Sequence, residues 1–255
     1  MKTLISPSKT LNFDTDTNCD FNTNCRLIDH TNELHKILIN FSKSDLKELM
    51  SVSDKIAELN YNRFKNWEDP SISNSSKQAI FAFKGDVYSG LDADSISENK
   101  FDFLQNNLRI ISGFYGLIRP FDKILPYRLE MGTKLENPKG KNLYQFWGDK
   151  ITDGLNALLE EQEKPVLVNL ASNEYFKSVN SNNLKCRLIT PEFRDLKNGK
   201  YKIIQFFAKK ARGLMVRYTI DHSISKPEDL KNFDYDGYAF NSEMSHSDIW
   251  VFSRN

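Results

Sequence analysis

Ser6-Pro7-Ser8-Lys9 has the S-x-x-K spacing with which serine acylases set a lysine beside a nucleophilic hydroxyl. The spacing recurs at Ser44/Lys47, Ser97/Lys100 and Ser223/Lys226, and the K-T-G element that accompanies it in such enzymes is missing, so acylase chemistry is not indicated. Carboxylate pairs such as Asp92/Asp94 and Glu160/Glu161 could share acid–base work, but neighbouring acids are commonly solvated surface groups. His30, His35, His222 and His246 show neither H-E-x-x-H nor the i,i+4 spacing that sets two imidazoles on one helix face. No G-x-x-x-x-G-K-[ST] loop occurs, and Gly113-Phe114-Tyr115-Gly116 is not a dinucleotide fingerprint. No metal, cofactor or catalytic residue is therefore assigned.

A different pattern points to phosphate. Leu49 to Ala57 follows the outline L-p-G-h-G-x-x-x-A of a helix-hairpin-helix, with Ser51, Val52 and Ser53 at the turn and Lys55 in the first turn of the second helix. Small residues there let the backbone approach a DNA phosphate, and the amides opening the second helix can donate to its oxygens. Serine in place of glycine weakens the match, because it tolerates positive φ poorly. On spacing alone, an ordinary helix–turn–helix packing pair is the commoner origin of such a pattern.

Net charge is a poor guide to that question. The chain of 255 residues carries 35 Lys+Arg against 34 Asp+Glu. Yet Arg194 to Arg217 holds eight basic residues against Asp195 alone, and Arg109 to Lys141 holds seven against three acids. Asp221 to Asp248 balances them with seven acids against two lysines. Such polarity can build a basic face on a nearly neutral protein. Phe206, Phe207, Tyr218, Phe114, Tyr115 and Tyr127 lie among the cations, where rings can stack on bases, although core packing is their commoner use.

The elements that must position these groups follow from periodicity. Lys2 to Ser6 is expected to be a strand stopped by Pro7, and Asn12 to Asn24 a surface loop. Helical spacing marks residues 34–41, 46–50 and 56–64, and Asp69 to Ser76 reads as a linker. Tyr144 to Leu159 and Ala208 to Ile220 read as helices; Val166–Leu170, Cys186–Thr190 and Tyr201–Phe207 read as strands. Asn198-Gly199 is a hairpin signal, and Tyr238–Phe240 with Ile249–Phe252 is expected to be a last strand pair. The fold class expected is α/β (α+β): a single domain with a mixed sheet surrounded by helices, a helical hairpin region at about 31–68 and a basic cleft. Three cysteines cannot pair completely, and no apolar run approaches the roughly 20 residues that cross a bilayer, so a cytoplasmic protein without a membrane partner is expected.

Longer strings carry a family resemblance. LISPSKTL (4–11), QAIFAFKGDVYSGLDA (78–93), LRIISGFYGLIRPFD (108–122), PYRLEMGTKLEN (126–137), LYQFWGDKI (143–151), NLASNEYFKSV (169–179) and FFAKKARGLMVRY (206–218) together resemble the bacterial YaaA peroxide-stress protein family. The resemblance implies a cytoplasmic protein that limits oxidative damage under hydrogen peroxide and is associated with lowering unincorporated iron. It also implies a single-domain α/β fold whose basic cleft and helix-hairpin-helix bind duplex DNA. It carries no catalytic residue over.

Two functions are weighed on this basis. In one, double-stranded DNA is bound with low sequence specificity by Ser51, Val52, Ser53, Lys55, Lys84, Arg109, Arg128, Lys209, Lys210 and Arg212. In the other, the same cleft is the active site of an enzyme acting on a nucleobase, nucleotide or other small anionic ligand, with Lys9, Asp86, Tyr88, Glu130, Asn173 and Glu174 as its pocket. The carboxylates motivate the second reading, since a groove built only for phosphate has little need of them. If iron is lowered, an indirect route is expected, because no His or Cys cluster is present.

Overall fold

The computed structural model describes residues 1–17, 19–160 and 162–255. Glu161 of the Glu160/Glu161 pair and Asn18 of the expected surface loop lie outside the described residues. The chain opens with β1 (Lys2–Ile5) and the short β2 (Thr10–Leu11), then three helices, α1 (Ile28–Leu38), α2 (Lys43–Met50) and α3 (Asp54–Lys65). Short pieces follow: β3 (Lys77–Gln78), α4 (Ala79–Ala82), β4 (Phe83–Lys84), α5 (Asp86–Leu91) and α6 (Phe101–Asn107). Then come β5 (Leu108–Ser112), β6 (Gly116–Ile118), β7 (Lys123–Ile124), α7 (Leu143–Trp147), α8 (Lys150–Leu159), β8 (Val166–Asn169) and α9 (Asn173–Phe176). The last third holds β9 (Arg187–Lys197), β10 (Lys200–Lys202), α10 (Gln205–Asp221), β11 (Ala239–Phe240) and β12 (Ile249–Arg254).

These pieces form a single α/β domain around a mixed sheet ordered β11-β12-β9-β8-β1-β5-β6, with β10 pairing on β9. β12, β9, β8, β1 and β5 run parallel, while β11, β10 and β6 are antiparallel additions. Every residue of β5 and β8 is buried, as expected for inner parallel strands covered on both faces. From β1 the chain proceeds to β5 on one side; from β8 it proceeds to β9 on the other. The order therefore reverses between β1 and β8, and such a switch point opens a crevice outside the carboxyl ends of the two strands.

The helices α1 to α3 are part of the same core. Phe64 packs edge-on against Phe114, Trp67 donates its Nε1–H to the Tyr115 hydroxyl at 3.1 Å, and Thr31 donates to the Phe114 carbonyl. Phe114, Tyr115 and Tyr127 are buried, so these three rings hold the core together and are not available for base stacking. Residues 69–76 form no free linker: Pro70 and Ser73 are buried, the Ser71 carbonyl accepts from Lys123 Nζ, and Lys77 continues directly into the β3–β7 ladder.

The first helix expected after residue 143 divides at Gly148, which takes φ 49° between α7 and α8. The strand expected over Tyr201–Phe207 is also shorter. β10 ends at Lys202 and α10 begins at Gln205, because Ile203 and Phe206 are exposed and face no pleated neighbour.

Candidate functional site in the switch-point crevice

At the ends of β1 and β8 the backbone turns through Ser6 and Ser172. The Ser172 amide donates to Ser6 Oγ at 2.9 Å, and the Ser6 hydroxyl donates to Ser172 Oγ at 3.3 Å, so the two strand ends are tied across the switch point. Tyr88, buried in α5, donates its hydroxyl to the Ser6 carbonyl. Beyond Ser6, β2 pairs with β4 and sets Thr10 opposite Lys84. Gly85 takes φ +122°, and a Cβ there would lie 2.9 Å from Ser8 Oγ. Glycine thus lets the start of α5, with Asp86, close onto the Ser8–Lys9 turn.

Charges meet above this floor. Lys9 Nζ lies 2.5 Å from Glu130 Oε2, and Arg128 Nη2 donates to Glu130 Oε1 at 2.9 Å, so one carboxylate bridges two cations. The Gly132 amide donates to Glu174 Oε1 at 3.0 Å and fixes that side chain. Arg128 Nε is buried and has no hydrogen-bond partner among the described residues. Burial pushes the Tyr88, Tyr127 and Tyr175 phenols up, with further contributions from their neighbours, so all three remain neutral. A cavity of about 230 Å³ is lined by Leu49, Met50, Arg128, Glu130, Gly132, Thr133 and Glu174. It shares Leu49, Gly132 and Thr133 with a wider hollow of about 810 Å³ that reaches Phe41, Glu48, Ser51 and Lys134. The two are parts of one groove, whose rim is the carboxyl end of α2.

Of the six expected pocket residues, Glu130 and Glu174 line the cavity, Lys9 is tied to Glu130, and Tyr88 supports the floor. Asp86 stays at the edge on the first turn of α5, and Asn173 opens α9 next to Glu174; neither lines the cavity.

The expected phosphate ligands are dispersed. Ser51 adopts the left-handed conformation (φ 50°, ψ 54°) that the glycine of the motif would take, Val52 is half-buried, and Ser53 caps α3 by accepting from the Ile56 amide. Lys55 is exposed. The hairpin nonetheless neutralises itself in part, through Lys43–Glu58 at 2.5 Å and Lys47–Asp54 at 2.8 Å. Lys84 is paired with Asp94 at 3.0 Å, and Lys210 lies 3.8 Å from Asp236. Arg212 is half-buried, and desolvation lowers its pKa.

Arg109 requires a correction. It is buried, and its Nη1 donates to the Gln105 and Leu108 carbonyls at 2.7 and 2.6 Å. The guanidinium therefore closes the carboxyl end of α6, where unpaired carbonyls and the helix dipole favour a cation. Burial lowers its pKa to about 10, and no phosphate can reach it.

A second set of cations joins the expected Lys209 to three lysines that were not among the expected ligands. Lys197 and Lys200 stand opposite each other across the β9–β10 ladder, followed by Lys202 and, on α10, Lys209. All four are exposed, and none forms an ion pair among the described residues. Phe206 (59% exposed), Ile203 and Leu196 lie exposed beside them in the sequence. The Asn198-Gly199 turn was the available signal. Both residues take positive φ, as a tight hairpin turn requires, and this turn holds the lysines out from the sheet.

Among the described residues no group of three His, Cys, Asp or Glu is placed to hold a metal ion, and no helix is long and apolar enough to cross a membrane.

Comparison with known proteins agrees with the strings noted in the sequence. The family model described as peroxide stress protein YaaA matches residues 1–244. A UPF0246 protein of Teredinibacter turnerae is 50% identical over 254 residues, covering 100% of this chain and 99% of the relative. UPF0246 proteins of Neisseria gonorrhoeae and Aliivibrio fischeri are each 52% identical, over 252 and 254 residues, and cover 99% and 100% of this chain and 97% and 98% of their own. With matches of this extent, the chain belongs to the YaaA peroxide stress protein family, UPF0246.

Proposed function

We propose that this protein serves peroxide-stress protection by binding double-stranded DNA with low sequence preference. The observation that carries this reading is the opposition of Lys197 and Lys200 on the β9–β10 hairpin, with Lys202 and Lys209 following and no acid paired to any of the four among the described residues. Like charges directly opposite in a ladder destabilise it, and a phosphate backbone removes that cost. Lysine is a point charge that positions phosphate without reading bases, hence the low preference. The α2–α3 hairpin adds a second contact through Lys55 and the amides beyond Ser53. Limitation of unincorporated iron is read as an indirect consequence of the same protective role.

Filter binding of a duplex across a salt series tests this. Affinity should fall steeply with salt. Reversing Lys197, Lys200, Lys202 and Lys209 to Glu should lower the logarithmic salt slope by about 0.9 for each phosphate no longer neutralised, on every duplex sequence alike. Undetectable affinity, or affinity indifferent to salt, would sink the reading.

A second reading, an enzyme acting on a nucleobase, nucleotide or other anionic small molecule, is favoured by the convergence of Lys9, Arg128, Glu130 and Glu174 on one groove.

A further inference from the structure

Exposed apolar side chains are ordinary when scattered and informative when concentrated. Of the seven large hydrophobic residues exposed among the described residues, four, Leu196, Ile203, Phe206 and Phe207, fall between positions 196 and 207, the stretch that also carries Lys197, Lys200 and Lys202. Phe206 is the most exposed of the four, at 59%. It stands in the first turn of α10, and Lys209, three residues on, shares its side of the helix. Its footing is fixed. The Phe206 ring meets Phe207 edge-on with centroids 5.7 Å apart, and the Arg254 guanidinium lies over the Phe207 ring at 4.7 Å. Arg254 is held in turn by Asp195 at 2.5 Å and Asp236 at 2.7 Å, and α10 itself is packed backbone to backbone on α5. One apolar ring is held out from a firm base beside cations that have no ion-pair partner among the described residues.

We propose that Phe206 inserts between two stacked base pairs of the bound duplex and kinks it, while Lys200, Lys202 and Lys209 hold phosphates flanking the opened step. The proposal rests on the duplex-binding reading above and adds to it a residue that deforms the DNA. Apolar wedges of this kind enter base steps from the minor groove and bend the duplex by roughly 20–90°, the lost stacking being offset by the protein surface that the bent duplex covers. Phosphate contact alone has no use for an exposed ring, since lysine supplies it as a point charge. The arrangement along the chain favours DNA over a lipid surface. Leu196 adjoins Lys197 and Ile203 adjoins Lys202, so cations interrupt the apolar residues, as phosphates flank every base step. A segment lying in a bilayer surface instead gathers its apolar residues on one face and its lysines on the other. A ring reads no base edge, so low sequence preference persists, graded by how readily a step opens: pyrimidine–purine steps kink easily and A-tracts resist.

Fluorescence energy transfer between the ends of a short duplex with a central TA step reads the bend, and 2-aminopurine at that step reads unstacking. The full chain should bring the ends together, brighten the 2-aminopurine, and bind this duplex a few-fold more tightly than an A-tract. Phe206→Ala should lose both signals and about tenfold in affinity, the loss expected where one ring no longer stacks on a base, with the logarithmic salt slope unchanged because no phosphate contact is removed. Phe206→Leu keeps an apolar wedge and should keep most of the bend; Ile72→Ala, which removes an exposed apolar side chain elsewhere, should keep all of it. A salt-dependent complex in which the duplex stays straight, or a bend undiminished in Phe206→Ala, overturns the wedge and leaves duplex binding standing; no complex with any duplex removes both. Sedimentation with phosphatidylglycerol vesicles, lost in Phe206→Ala while the duplex stays straight, assigns the ring to a lipid surface and overturns the proposal.

Discussion

The crevice beyond β1 and β8 and the overhang formed by β9 and β10 both bear several cations, yet they hold them in opposite ways. In the crevice, Lys9 and Arg128 share one carboxylate, and Arg128 is largely shielded by neighbouring side chains. At the overhang, Lys197, Lys200, Lys202 and Lys209 stand in water with no acid paired to them among the described residues. The basic stretch 109–141 is neutralised only in part: Arg119 by the buried Asp122, Arg128 by Glu130 and Lys139 by Glu33, while Lys134 and Lys141 are exposed and form no ion pair among the described residues. Local net charge therefore overstates what is free to meet a phosphate in both regions: of the eight basic residues at 194–217, Arg194, Lys210 and Arg217 are ion-paired and Arg212 is half-buried, which leaves Lys197, Lys200, Lys202 and Lys209. Surface cations without partners supply affinity that depends on salt, whereas bridged cations supply geometry.

The strongest way to break the comparison is to separate its two halves. They are joined by the crossing of α5, which starts at the crevice, and α10, which carries Lys209. At that crossing a Cβ on Gly213 would lie 1.8 Å from the Val87 carbonyl oxygen, and one on Gly90 would lie 2.2 Å from that of Lys210. Gly213→Ala should destabilise the fold by about 3 kcal/mol or more, because backbone is what must yield. Denaturant unfolding measures this, and a loss below about 1 kcal/mol would contradict so close a crossing.

Breaking the bridge comes next. Glu130→Gln leaves Lys9 and Arg128 without their shared anion and should cost about 1–2 kcal/mol, a value reduced for the exposure of Lys9. Lys209→Gln, at the overhang, should change stability by less than about 0.5 kcal/mol. Equal effects in the two variants would mean that the regions do not differ in how they hold charge.

A further small effect has the opposite sign. Lys200→Glu sets unlike charges at the Lys197↔Lys200 pair and should stabilise the free protein by about 0.5 kcal/mol while weakening its hold on duplex DNA. Stability and affinity moving together would remove the argument that the hairpin is built for an anionic partner.

Much of the architecture was legible along the chain. The Asn198-Gly199 turn, the three helices before residue 66, the strand at Lys2 and the terminal strand pair all follow from local periodicity and turn chemistry, which act over a few residues. The reading failed where an apolar pattern had a cause other than burial. Tyr201 to Phe207 is rich in β-branched and aromatic residues like a strand, yet Ile203 and Phe206 are exposed and the last residues begin a helix. Arg109 was misread for the converse reason. As the residue that opens the basic stretch 109–141 it suggests a phosphate ligand, but its strand is covered on both faces and the guanidinium finds the carbonyls of α6. The candidate site was legible as residue types and not as a site, since nothing local joins position 9 to position 130.

The sequence by itself determined the family, the order of the elements, the helical hairpin and the places where basic residues concentrate. Only the tertiary structure decided which of those cations remain free, that the strand order reverses between β1 and β8, and that Lys9, Arg128, Glu130 and Glu174 meet beside the end of α2. The physical reason is range. Helix, strand and turn preferences act between near neighbours in the chain, whereas ion pairing and desolvation depend on distances in space that the packing of remote segments sets.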